Sequence, residues 1–139
     1  FDAIKKHAKA AVKKFDIRTA SSDLPTGELS GGNQQKVIIA RELERGSDLI
    51  IAFQPTRGLD VGAIEYIHKQ LLKERDRGKA ILLVSYELNE IMQLSDRILV
   101  LHDGQKSGVV KPDQTNETEL GLLMTGIQKE GQDLDQSFS

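Results

Sequence analysis

The sequence predicts a protein of the α/β class, in which helices cover a mostly parallel sheet. Three observations lead to this prediction. Two apolar, β-prone runs at 49–53 and 80–85 have the pattern of parallel strands that are buried on both faces. A stretch of helical periodicity at 61–77 separates them, as a strand–helix–strand crossover requires. The length of 139 residues fits one domain and excludes two.

The first part of the chain divides into a helix, a loop and a second helix. Residues 1–15 place apolar side chains at helical spacing and lysines on the opposite face, which predicts an amphipathic helix. The lysine face is typical of a solvated surface, and contact with phosphate or lipid is the alternative. Residues 19–27 are rich in Ser, Thr, Asp, Pro and Gly and predict a loop. A helix then begins near Ser30 and ends before Gly46.

The remainder continues the alternation and includes a hairpin. Gly78 is expected to end the crossover helix, and a short helix is predicted at 88–94 after the second strand. Strands near 97–102 and 107–110 flank an Asp-Gly pair, which is a hairpin signal. A last helix is predicted at 117–124, and the last dozen residues are expected to be frayed or disordered.

Composition excludes several classes of function. Lysine and arginine number 19 against 21 acidic residues, and the net charge of -2 is too balanced to indicate a nucleic-acid partner. Because the sequence has no cysteine, disulfides, thiolate metal sites and cysteine nucleophiles are excluded. The longest apolar run is far too short to cross a bilayer. His7, His68 and His102 match no metal-ligand spacing, so no metal site is predicted.

The turn in front of the second helix has the composition of a phosphate-binding site. Gly31 and Gly32 carry no side chains, so backbone N–H groups can approach an anion there, and the helix dipole adds positive potential. Ser30 and Asn33 can supply further hydrogen bonds to phosphate or ribose. The alternative is a glycine hinge with Ser30 as the N-cap. These residues alone leave both interpretations open.

Four segments, in order, resemble the motifs of ABC ATPases. The sequence LSGGNQQK at 29–36 resembles the signature motif of that family, and LIIAFQ at 49–54 resembles its Walker B strand. PTRGLDVGA at 55–63 resembles the D-loop, and LVSYEL at 83–88 resembles the switch region. The D-loop wording is most similar to the second ATPase half of tandem-domain importers for simple sugars and nucleosides. The Gln-Pro pair at its start favours nucleosides.

The resemblance implies the α/β fold of a P-loop NTPase, of which this chain would be a truncated C-terminal part. No counterpart of the Walker A loop, which wraps the β- and γ-phosphates, occurs in the sequence. Because the chain begins at Phe1 rather than Met, we expect further sequence upstream. Residues 1–28 would end the helical subdomain, 29–112 would be the signature helix and the α/β core, and 113–139 a C-terminal helix and flexible tail. Truncation is expected to expose strand edges and apolar faces.

Three positions depart from the family pattern. The position of the Mg²⁺-orienting Asp holds Phe53, the position of the general-base Glu holds Gln54, and the position of the switch His holds Tyr86. Phe53 has no oxygen for the metal shell, and Gln54 cannot accept a proton at neutral pH. No confident catalytic residue remains, so a hydrolytic site built on this half is predicted to be poor.

ABC ATPases pair head to tail, and the resemblance implies that the signature of one half faces the phosphate loop of the other. The residues implied to bind nucleotide in this way are Ser30, Gly31, Gly32, Asn33 and Gln34. The residues implied to lie at the dimer seam are Gly58, Leu59 and Asp60, although Asp60 is equally an N-cap. ATP and Mg²⁺ are implied for the full-length assembly, and no tight binding to this chain alone is expected. Gly32→Asp is expected nearly to abolish turnover, and Gln54→Glu is expected not to raise it.

The leading hypothesis is therefore the energy-coupling ATPase subunit of an importer for nucleosides or simple sugars. The implied partners are the other ATPase half or a second copy of the chain, and transmembrane permease subunits, but no nucleic acid. The implied location is the cytoplasmic face of the cell membrane. Two alternatives stay open: a non-transport ABC ATPase module, and a non-catalytic regulatory or dimerisation domain.

Overall fold

The computed structural model of the protein describes residues 1–127, which fall into two compact units. The first unit, Phe1–Val84, contains three helices and two strands. In chain order they are α1 (Asp2–Lys14), α2 (Gly31–Glu44), β1 (Leu49–Phe53), α3 (Val61–Asp76) and β2 (Ala80–Val84). The predicted order of elements in this part of the chain is confirmed, and a short 3-10 helix interrupts the predicted loop just before α2.

Glycines end the second and third helices as the sequence predicts. Gly46 follows α2 with a φ of +72°, and Gly78 follows α3 with a φ of +88°. Both angles lie in the left-handed region, which costs glycine little and other residues more. The core of this unit lies between α2 and α3, and its buried members are Phe15, Ile17, Ile39, Ala40, Leu43, Ala63, Ile67 and Leu71.

The strands β1 and β2 pair in parallel, with Leu49 opposite Ala80 and Phe53 opposite Val84. They form a two-stranded sheet, and α3 lies against β2. The prediction that both faces of these strands are buried is wrong. One face is exposed because no described element of the unit covers it, which agrees with the expected exposure of apolar faces. Its large apolar residues are Leu49, Ile51, Phe53, Leu82 and Val84.

The second unit begins at Ser85 and contains α4 (Leu88–Leu94), β3 (Ile98–His102), β4 (Gln105–Val110) and α5 (Glu117–Met124). The strands β3 and β4 form the predicted antiparallel hairpin as a separate two-stranded sheet. The turn between them has positive φ at both of its residues, 48° at Asp103 and 74° at Gly104, as a tight hairpin connection requires.

The helix α5 packs on the hairpin and completes the core of the second unit. This core consists of Ile98, Val100, Leu120 and Leu123. The Ser107 hydroxyl donates a 2.6 Å hydrogen bond to the Leu123 carbonyl oxygen, and the Asn116 side chain accepts from the Glu119 N–H as the cap of α5. The predicted last helix is confirmed. The tail predicted beyond it lies outside the described residues, and the domain boundaries predicted at 28 and 112 stay predictions.

Candidate functional site

The turn that precedes α2 presents unpaired backbone N–H groups to solvent. Ser30 is the N-cap residue, and its carbonyl oxygen accepts the Gln34 N–H at 2.9 Å. Its hydroxyl caps no backbone group; instead it accepts a 2.9 Å hydrogen bond from Nδ2 of Asn33. The N–H groups of Gly31, Gly32 and Asn33 therefore make no hydrogen bond within residues 1–127. Such a helix end attracts anions.

Asn33 and Gln34 have internal partners. The Oδ1 atom of Asn33 accepts the Arg18 N–H at 2.8 Å, while Nε2 of Gln34 donates to the Leu29 carbonyl oxygen at 2.7 Å. These side chains fasten the preceding loop to the first turn of α2. Their direct contact with nucleotide stays a prediction, whereas Ser30 and Gly31 are exposed.

The two glycines of the turn occupy different surroundings. A Cβ atom added to Gly32 would lie 3.2 Å from Cβ of Ala63 and 3.6 Å from Oδ2 of Asp60. A Cβ atom added to Gly31 would meet nothing within 4 Å. Gly32 thus permits the close approach of α2 to α3, while Gly31 leaves room for a ligand. The sequence did not distinguish these roles, because the neighbours of Gly32 are distant along the chain.

Residues 58–60 form the turn that begins α3. Gly58 has a φ of +73°, and the Leu59 N–H donates to the Thr56 carbonyl oxygen at 3.2 Å. Asp60 is the N-cap, since its Oδ1 accepts the Ala63 N–H at 2.9 Å. The N-cap interpretation is confirmed, and a position at a dimer seam stays a prediction. Because Gly32 contacts this turn, α2 and α3 begin side by side.

The carboxyl end of β1 offers little to a metal-bound triphosphate. The Phe53 side chain is 68% exposed and is a hydrocarbon, so it does not fit the coordination shell of Mg²⁺. Gln54 extends the parallel ladder by donating its N–H to the Val84 carbonyl oxygen at 2.8 Å, then turns with a φ of 48°. Its Nε2 is buried and has no partner among the described residues. Phe53 therefore supplies no metal ligand, and the amide of Gln54 supplies no base.

Tyr86 belongs to the second unit and is 71% exposed. It stands between Ser85 and Glu87, where the Ser85 hydroxyl oxygen accepts the Glu87 N–H at 3.0 Å. Its contact with a γ-phosphate stays a prediction. His7 pairs with Glu44 at 3.2 Å, and His102 places Nδ1 2.9 Å from the Met124 carbonyl oxygen. Within residues 1–127 no cluster of three or more metal-capable side chains occurs.

Sequence reasoning missed a buried lysine beside the turn. Lys36, in α2, is only 8% exposed, and its Nζ donates to the carbonyl oxygen of Asp16 at 2.8 Å and to Oδ2 of Asp16 at 2.9 Å. The same Nζ lies 4.6 Å from the ring centroid of Tyr66 in α3. The hydrogen bond and charge of Lys36 lower the pKa of Asp16, and burial, together with the Asp16 carboxylate, raises the pKa of Tyr66 to about 12. The usable signal was a lysine at a position facing the apolar side of α2.

No helix in the described part of the chain is long and apolar enough to span a bilayer.

Comparison with curated proteins finds relatives among import ATP-binding proteins, and no family model matches. The chain is 56% identical over 126 residues to the nucleoside import ATP-binding protein NupA of Lactococcus lactis and covers 25% of its length. It is also 56% identical over 126 residues to the guanosine import ATP-binding protein NupO of Bacillus subtilis, again over 25% of its length. The glucose import ATP-binding protein TsgD13 of Haloferax volcanii is 45% identical over 128 residues. These matches cover about nine-tenths of this chain and about a quarter of the relatives.

Solved structures give the same fold. A bacterial ABC transporter cassette solved as a dimer is 30% identical, with a TM-score of 0.66 over 77% of this chain and 46% of the cassette. A metal-chelate type ABC transporter in an inward-facing conformation aligns with a TM-score of 0.71 over 86% of this chain and 47% of its own. At 18% identity, the second likeness bears on the fold alone.

Proposed function

This chain belongs to the family of ABC transporter ATP-binding proteins, and we propose that it is the later part of the second ATPase half of a nucleoside or simple-sugar importer. In this role it presents the turn at Ser30 and Gly31 to an ATP molecule that is held mainly by another ATPase half. Its own strand end at Phe53 and Gln54 does not hydrolyse nucleotide. The substrate class rests on relatives named for nucleoside, guanosine, ribose and glucose import.

One observation carries the proposal: the phosphate-type turn is intact while the side chains for hydrolysis are absent. At the turn, the backbone N–H groups of Gly31 and Gly32 are unpaired and Gly31 is open to solvent. At the strand end, a hydrocarbon and an amide occupy the positions of the metal ligand and the base. A half with this combination contributes to a site whose remaining parts come from elsewhere.

The chemistry of the turn suits a terminal phosphate. The unpaired N–H groups donate hydrogen bonds to phosphate oxygens, and the first turn of α2 adds its dipole. Such donors stabilise charge that develops during phosphoryl transfer without reorganising. Binding of ATP between two halves would then close them, and the differential affinity of ATP for the closed form would drive the permease.

The proposed partners follow from this arrangement. The first is the other ATPase half of the same polypeptide or a second copy, which supplies the phosphate loop, the ligand for Mg²⁺ and the base. The second is a pair of permease subunits in the membrane, which places this protein peripherally on the cytoplasmic face. The dimeric cassette to which this chain is similar supports pairing of ATPase domains.

The test compares Gly31→Asp with Gly31→Asn in the full-length protein, reconstituted with its permease in liposomes. A Cβ atom at position 31 would meet no atom of another segment within 4 Å, so both side chains have room, and an acidic residue in the first turn favours the helix. We expect Gly31→Asp to lower ATP hydrolysis about 100-fold, because its carboxylate repels the phosphate and opposes the N–H donors, whose loss typically costs that much. Gly31→Asn should lose much less.

Hydrolysis by Gly31→Asp equal to that of the wild-type protein would overturn the proposal. Uptake of labelled guanosine and ribose is measured in parallel, with adenosine diphosphate as the matched nucleotide control. Hydrolysis that requires Gly31 but drives uptake of neither solute would instead favour the non-transport ABC module.

A further inference from the structure

The contacts of Lys36 join three segments of the first unit. Along α2, this residue follows Gly32 by one turn and lies on the same face of the helix. Its ammonium group reaches Asp16 in the turn after α1 and the ring of Tyr66 in α3. A buried lysine is costly unless paired, so this arrangement persists because the ammonium has both partners.

The contact between α2 and α3 has two successive levels. At the first level Gly32 approaches Ala63, and at the second the Lys36 ammonium lies over the Tyr66 ring. Each level is one turn further along both helices, so the two helices run in the same direction along this seam. The second level therefore sets how α2 is rotated and placed relative to the turn that Asp60 caps.

The turn at 16–18 is fastened to α2 at two points. Lys36 holds the carbonyl oxygen and the carboxylate of Asp16, and Asn33 accepts the Arg18 N–H. Asp16 has a φ of 48°, a left-handed conformation that aspartate tolerates better than most residues, and these contacts hold the turn in it. Asn33 in turn donates to the Ser30 hydroxyl. We call the contacts of Lys36 with Asp16 and Tyr66 the Lys36 clamp. A continuous set of contacts thus runs from this clamp to the exposed Ser30 end of the turn that precedes α2.

We infer that Lys36 is a positioning residue for nucleotide-dependent turnover: by holding Asp16 and Tyr66 together, it fixes the place of the Ser30–Gly31 turn relative to the start of α3. This inference rests on the proposed function. Lys36 itself does not touch nucleotide. Its effect falls on the closed, hydrolysing state, in which the turn must meet a phosphate held by the other half, and not on the first binding of ATP to that half.

The experiment uses the full-length protein with its permease and compares Lys36→Met with Lys79→Met. Lys79 forms a 2.6 Å ion pair with the buried Glu74 at the far end of α3, so its loss also removes a buried pair but leaves the clamp intact. We expect Lys36→Met to lower kcat about 10- to 100-fold, because a displacement of about 1 Å costs that much. The dissociation constant for ATP should change less than about twofold, because ATP binds first to the other half and this binding does not require the turn to be in place.

Two further variants keep the test informative if Lys36→Met fails to fold. Asp16→Asn removes charge from an exposed partner and should lower kcat about threefold to tenfold, whereas Lys36→Arg, which keeps a cation over the Tyr66 ring, should retain more turnover than Lys36→Met. Lys79→Met should lower the melting temperature but leave kcat within about twofold of wild type.

Equal losses of kcat in Lys36→Met and Lys79→Met would assign the lysine to stability alone and overturn the inference. Unchanged kcat in both Lys36→Met and Asp16→Asn would overturn it as well. A failure of the proposed function has a different signature, because the wild-type protein would then hydrolyse ATP without any dependence on Gly31.

Discussion

The front of α2 and the carboxyl end of β1 lie in the same compact unit and differ in how closely they match the ABC ATPase motifs that they resemble. At the front of α2, both glycines, the N-cap serine and the bracing amides are present. At the end of β1, Phe53 and Gln54 stand at the positions that the proposal assigns to the metal ligand and the base, yet the parallel ladder continues through the Gln54 N–H.

This difference shows at which positions the fold itself depends on the identity of the residue. At the turn, the proposed nucleotide-binding groups are backbone N–H groups, and Gly32 also permits the close approach of α2 to α3. At the strand end, the functional groups are side chains, which the ladder does not need. Side chains at the strand end can therefore change without loss of structure, whereas a substitution at Gly32 also disturbs the packing of α2 on α3.

The largest effect is expected for Gly32→Asp, which joins a structural and a functional change. The new Cβ meets Ala63 at 3.2 Å, and the new carboxylate adds like charge near Asp60. We expect the free energy of unfolding to fall by about 1–3 kcal/mol from overpacking and ATP turnover to fall about 100-fold. Denaturant unfolding and a hydrolysis assay on the full-length protein measure the two effects. The control is Gly31→Ala, whose stability should stay within about 0.5 kcal/mol of wild type; a Gly32→Asp protein as stable as this control would contradict the packing argument.

The next effect concerns the cap of α3 beside the turn. Asp60→Ala removes the acceptor of the Ala63 N–H and should lower the free energy of unfolding by about 1 kcal/mol. Asp60→Asn keeps an acceptor oxygen and should retain most of that stability. Thermal unfolding of the two variants side by side measures the difference, and equal melting temperatures would show that the cap contributes nothing.

A smaller effect is expected from acid at the Lys36 clamp. Lys36 lowers the pKa of Asp16 in the folded protein, so the carboxylate contributes stability above its unfolded pKa. That contribution is lost as pH falls below about 4 and through the lowered folded value. The free energy of unfolding, measured between neutral pH and pH 3, should therefore fall more steeply for the wild-type protein than for Asp16→Asn. An equal pH dependence in the two proteins would show that the contact between Lys36 and Asp16 does not stabilise the turn.

The smallest effect is expected at the strand end. Gln54→Glu restores a carboxylate, but Phe53 still offers no oxygen to a cation, so ATP turnover of the full-length protein should change less than about twofold. Hydrolysis rates with saturating ATP make the comparison. A rise in ATP turnover of tenfold or more would show that the amide of Gln54 alone, and not Phe53 as well, keeps the strand end inactive.

Much of the fold could be predicted because its signals are local. The apolar run that became β1, the helical periodicity of α3 and the Asp103-Gly104 turn each act over a few residues, and each element appears where its pattern indicated. The exposed face of β1 and β2 differs from the prediction of burial on both faces. An apolar run indicates that a strand can be buried, but it does not show which elements cover it.

The sequence by itself determined the order of elements, the glycine pair in front of α2, and the hydrocarbon and amide side chains at Phe53 and Gln54, since all of these are properties of residues and their neighbours along the chain. Only the tertiary structure decided that Gly32 serves the contact with Ala63, that Asn33 accepts the Arg18 N–H, and that Lys36 joins Asp16 to Tyr66. The physical reason is distance along the chain: partners that lie 15 to 31 residues apart acquire their roles only when the helices pack.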